Sequence, residues 1–109
     1  MSETLKVLGQ VECPATTETT LYTVPGATAA TISTLAVCNR TSGAITFRVW
    51  VAVAGAATDS KQAIYYDTRI LGNDSVFATI GITLAATDVV RVYASAVGLS
   101  FNLFGVEVS

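Results

Sequence analysis

The chain contains no histidine, so it lacks the side chain that most often moves protons at neutral pH and most often ligates zinc. Its two cysteines, Cys13 and Cys38, show no CxxC spacing and set no disulfide framework. Both sit at the ends of apolar runs and read as small buried thiols. Charge is scarce: 13% of residues carry one, against about 25% in an ordinary globular domain. The basic residues Lys6, Arg40, Arg48, Lys61, Arg69 and Arg91 are scattered and the net charge is −2. That distribution argues against a phosphate-backbone footprint, and no nucleic acid partner is expected. No apolar run approaches the roughly 20 residues of a membrane helix, so no membrane partner is expected either. The start, MSETLKVLGQVEC, lacks the basic, apolar and small-residue succession of a secretory signal, and synthesis in a cytoplasm is the expectation.

What is present is a strand signal. Hydrophobic residues make up 51% of 109 residues, enough for one domain with a single core. In residues 44–53, AITFRVWVAV, Ile45, Phe47, Val49, Val51 and Val53 share one face and Thr46, Arg48 and Trp50 the other. A period of two marks a strand with one face in a core. Trp50 beside Arg48 gives the second face the look of a contact surface.

The rest of the chain repeats the pattern. Leu5, Val7, Gly9, Val11 and Cys13 alternate up to Pro14, which cannot donate to a ladder. A short strand TLYTV at 20–24 ends at the turn Pro25-Gly26. Residues 27–39 follow, and their apolar phase slips between Ile32 and Leu35, which requires a bulge if one face stays buried. The small and polar loop 54–60 is expected to be mobile. QAIYYD at 62–67, the alternating Val76, Ala78, Ile80, Ile82 and Leu84, and Val90 and Val92 opposite Val89, Arg91 and Tyr93 supply further strands. In the last, Leu99, Phe101 and Leu103 read as core, with a phase shift to Phe104, Val106 and Val108. No segment has helical spacing and β-branched residues dominate. The expected fold is all-β, an antiparallel β-sandwich of about eight strands with jelly-roll-like connections, an immunoglobulin-like sandwich being the alternative.

Without histidine, acid–base chemistry would fall to Glu3, Glu12, Glu18, Asp59, Asp67, Asp74, Asp88 and Glu107. These stand mostly at turns and strand ends, where carboxylates serve local hydrogen bonds, so no catalytic residue is assigned and no enzyme is expected. Asn73-Asp74 lacks calcium-loop spacing, and no metal or cofactor is assigned. The aromatics are the remaining signal. Tyr65 and Tyr66 are adjacent and must point to opposite faces. Trp50, Arg48, Tyr65 and Tyr66 are the candidate protein-interface residues, because Trp, Tyr and Arg are enriched at interfaces. Packing beneath a loop and stacking on a sugar ring are the alternatives.

The segments LYTVPG at 21–26, VCNRTSGAITFRV at 37–49, KQAIYYDTRI at 61–70, GITLAATDVVRVYAS at 81–95 and FNLFGVEVS at 101–109, taken in order, resemble small virion structural proteins of tailed bacteriophages. The first twenty residues lie outside that pattern. The resemblance implies a non-enzymatic particle component located on the virion. One implied position is the capsid surface, as a decoration or cement protein that clamps the major capsid protein, with a homotrimer as the expected oligomer. A tail or tail-fibre component touching the host is the other, and a carbohydrate-binding β-sandwich module remains a third class. Cement is favoured, because an apolar, charge-poor surface suits many modest contacts repeated by symmetry. Residues 1–13 are expected to form an arm or edge strand that pairs with a neighbouring chain.

Overall fold

A computed structural model describes residues 2–109. The eight strands are β1 (Glu3–Glu12), β2 (Thr19–Thr23), β3 (Ala29–Asn39), β4 (Ile45–Ala52), β5 (Ala63–Ile70), β6 (Ser75–Leu84), β7 (Val89–Ala94) and β8 (Leu99–Val108). They form two four-stranded sheets, the first in the order β1-β8-β3-β6 and the second in the order β2-β7-β4-β5. Every pairing within the sheets is antiparallel. Among these neighbours only β4 and β5 are consecutive in sequence, so the chain crosses repeatedly between sheets. This order is the jelly roll. The immunoglobulin-like alternative, which seats the first two strands side by side in one sheet, is thereby overturned.

The core lies between the sheets. Phe47 of β4 and Phe101 of β8 are both fully buried and meet edge to face across the gap, with centroids 6.1 Å apart. Ile32, Leu35, Val37, Val49, Val90, Val92, Leu99 and Leu103 close around them at 0–1% exposure. The most deeply buried polar side chain is Asn39, at 1% exposure. Asn39 donates from Nδ2 to the carbonyls of Gly43, Ile70 and Leu71 and accepts at Oδ1 from the Thr41 amide and hydroxyl. It thus holds the 40–43 turn against the end of β5. The same junction explains Gly72, where an added Cβ would lie 2.2 Å from the Ser42 carbonyl oxygen.

One expectation about strand phase holds here and two need revision. The slip in β3 is real and falls between Ile32 and Thr34, as a bulge against both neighbours. A second one, in β1 between Val7 and Gly9, turns Leu8 inward and leaves Leu5 80% and Val7 46% exposed. Leu5 and Val7 are therefore not on the core face with Val11 and Cys13. In β8 there is no phase shift: Leu99, Phe101, Leu103 and Gly105 face inward throughout, and Phe104, Val106 and Val108 occupy the outer face. Residues 3–12 form the edge strand of the first sheet, with β8 of the same chain as ladder partner, and among the described residues they form no free arm. Cys13 is buried and Cys38 half-buried, both as free thiols.

Candidate interaction surface

The outer face of the second sheet carries a cluster of aromatic and charged groups, and a bulge creates it. Phe47 pairs with Thr68 and Val49 with Tyr65, so two steps along β4 are matched by three along β5. The extra residue places both Tyr66 and Asp67 opposite Arg48, and Asp67 takes a left-handed backbone, φ 51°, which aspartate tolerates better than most side chains. Arg48 then binds its carboxylate with two hydrogen bonds, Nε to Oδ1 at 2.6 Å and Nη2 to Oδ2 at 3.2 Å. The guanidinium also lies over the Tyr66 ring at 4.2 Å and over that of Tyr93, its cross-strand partner on β7, at 4.5 Å. Hydrogen bonding from Arg48 holds the Asp67 carboxyl below its ordinary value. The ion pair satisfies itself, and Tyr66, 57% exposed, is what the cluster offers to a partner.

Trp50 sits on this face, as its parity requires, and makes an edge-to-face contact with Tyr93 at 6.3 Å. It is nonetheless only 5% exposed. Residues 53–62 fold back over this end of the sheet. Arg91, cross-strand from Trp50, donates to the carbonyls of Ala56 and Gly55 and to the Thr58 hydroxyl. Thr58 in turn bonds Glu18. The segment is further shaped by single 3-10 turns at Val53–Gly55 and Ser60–Gln62, the second with a reciprocal cap between Asp59 and Gln62. Asp88 accepts from the amides of Ala54 and Ala85. A loop of small and polar residues is therefore tied at both ends and its middle, against the expectation of mobility, and Trp50 is corrected from an interface anchor to a residue packed under it.

Tyr65 is corrected as well. It points into the sandwich and packs on Phe47 with centroids 5.6 Å apart, leaving Arg48 and Tyr66 as the predicted residues that face outward together. Tyr93 was missed; its parity with Arg91 in VVRVYA was the available signal. The carboxylates are likewise occupied locally: Glu12 with Arg40, Asp59 and Asp74 with backbone amides, and Glu107 with Tyr22 and Lys6.

The outer face of the first sheet is of another kind. Cross-strand pairing sets Leu5 beside Val106, Val7 beside Phe104, Thr34 beside Phe104 and Ala36 beside Phe77, which is 71% exposed. The charged residues of this face stand at its ends: Glu3 and Glu12 on β1, with Arg40 bonded to Glu12 and to Ser100. It is an apolar, threonine-lined surface of the kind that marks contact sites. Among the described residues no cavity opens into either face.

No protein-family model and no curated protein sequence matches the chain. Two solved structures match in fold. A chain of the structure of infectious bursal disease virus, Gx strain, superposes with a TM-score of 0.54 at 10% identity, covering 97% of this chain and 31% of that one. A chain of the Gt strain structure gives 0.51 at 9% identity, covering 96% and 31%. The protein thus spans about a third of the length of the chains it matches, and what the likeness establishes is the jelly-roll fold.

Proposed function

We propose that the protein is a non-enzymatic virion structural protein that attaches to a capsid shell. The observation that carries this reading is the fold likeness to a chain of a virus structure over 97% of the domain. Jelly rolls also serve other proteins, lectins among them, so the surface decides between uses. A nearly charge-free sheet face bearing Leu5, Val7, Phe104 and Phe77 suits docking on another protein by area rather than by charge. Within this reading the finer assignment is a decoration or cement protein of a tailed bacteriophage, bound to the major capsid protein through the first sheet. Supporting it are the sequence resemblance and the absence of any long loop free to grip a receptor among the described residues.

The experiment is cosedimentation of the purified protein with shells that lack it. Binding is expected, and Leu5→Glu combined with Val7→Lys abolishes it while the circular dichroism stays unchanged, because both side chains are exposed in the free domain. Binding that survives the double change argues against this face. Tyr66 beside Arg48 supports one second reading, stacking on a sugar ring, and a glycan array with wild type and Tyr66→Ala separates it from the first.

A further inference from the structure

The first sheet ends in β6, SVFATIGITL, whose second side has no strand against it. An exposed edge of this length is usually blunted by charge or proline, and β6 has neither. The other edges are protected. β1 carries Glu3, Lys6 and Glu12, and its Gly9 lies against the Leu21 carbonyl. β5 carries Asp67 and Arg69, and β2 is 5 residues long.

A second observation points to the same flank. The inward residues of β3 and β8 are sealed, Leu35, Val37, Phe101 and Leu103 being at 0–1% exposure. Those of β6, Val76, Ala78, Ile80 and Ile82, are only half-buried, as is Tyr65 on β5. The sandwich is therefore open along its β5–β6 side. β5, β6 and the turn between them also carry three exposed apolar side chains, Ile64 at 41%, Leu71 at 56% and, on the outer face of β6, Phe77 at 71%.

We propose that the free edge of β6 is a homotypic interface, at which residues 75–79 pair antiparallel with the same residues of a second copy and Phe77 lies on the two-fold axis. Backbone donors and acceptors in a row call for a strand as the occupant. The lack of charge suits β6 itself as that strand: self-pairing in any register sets no charged side chains opposite one another. The straight part of the edge is residues 75–79, because the register changes between Thr79 and Ile82 and Gly81 turns left-handed at φ 55°. Centred on Phe77, the pairing sets Ser75 against Thr79, Val76 against Ala78 and Phe77 against itself. This association is two-fold, unlike the threefold one implied by the sequence resemblance, and it does not depend on a role in a virion.

The test is sedimentation velocity of the full chain over the micromolar range, with Phe77→Lys, Phe77→Glu and their equimolar mixture. Wild type is expected to dimerise with concentration. Each variant alone should bind itself at least about tenfold more weakly, because like charges then face each other, and the mixture should dimerise again. A wild type that stays monomeric or forms trimers, variants that associate as wild type does, or a mixture that remains monomeric would overturn the proposal. If the variants lose their β-sheet circular dichroism, hydrogen exchange on wild type decides. Protection of the amides of residues 75–79 should rise with protein concentration, and constant protection would overturn the idea.

Discussion

The Tyr22 hydroxyl donates to Glu107 at 2.5 Å, and Lys6 reaches the same carboxylate at 3.0 Å, which ties β2 of one sheet to β1 and β8 of the other. The hydrogen bonds from Tyr22 and then Lys6 hold the Glu107 carboxyl below its ordinary value of 4.5. Burial first, and the neighbouring carboxylate second, raise the Tyr22 phenol. Glu107 is thus a group whose pKa falls on folding, so its contribution to stability is complete above its ordinary value and is lost as pH drops through the folded one. Tyr22→Phe should cost about 1 to 2 kcal/mol near neutral pH, the worth of one charge-assisted hydrogen bond. The cost should shrink below pH 4.5, as denaturant titrations at the two pH values will show. Trp50→Ala, by contrast, should lower subunit stability by roughly 3 kcal/mol, as loss of a buried aromatic does. An unchanged thermal midpoint would contradict its burial. At this scale the sequence read well where alternation was uninterrupted: Phe47, Val49, Val90 and Val92 are core as expected. Trp50 was placed on the correct face, yet what closes over that face is a loop pinned by Arg91, and such a long-range contact leaves no local periodic trace.

At the scale of elements, bulges decide what the sequence conceals. The one in β3 was legible, because apolar residues on both sides of it mark the phase. That in β1 was not: Leu5, Val7, Leu8 and Val11 are all apolar, and only pairing with β8 shows that Leu8 rather than Val7 faces in. The bulge at Tyr66 and Asp67 escaped notice for the opposite reason, since polar residues on an outer face carry no phase at all. Two consequences can be measured. Removing residues 1–12 strips β8 of its outer partner and takes Leu8 and Val11 from the core, so the truncated chain should unfold rather than persist as a smaller domain. A cooperative melt near that of wild type would restore the arm. Gly9→Val should destabilise by about 2 kcal/mol or more, because a Cβ there would lie 2.2 Å from the Leu21 carbonyl oxygen.

For the molecule as a whole, an apolar composition with little charge is resolved in two ways. Part of it fills the core between the sheets; the rest forms the outer face of the first sheet and the open flank beside β6. The first was legible as an all-β sandwich; the jelly-roll order was the favoured of two connections and is fixed only by the strand pairing. The outer apolar face was hidden, because Phe104, Val106 and Val108 looked like core residues after a phase shift. A protein that presents such a face in many symmetry-related copies gains binding from contacts that are individually weak. The most direct test of a shell-bound structural role is the number of copies per purified virion, measured by quantitative mass spectrometry against the major capsid protein. Attachment to the shell predicts hundreds of copies in fixed ratio to that subunit; a handful per particle, or none, would contradict it.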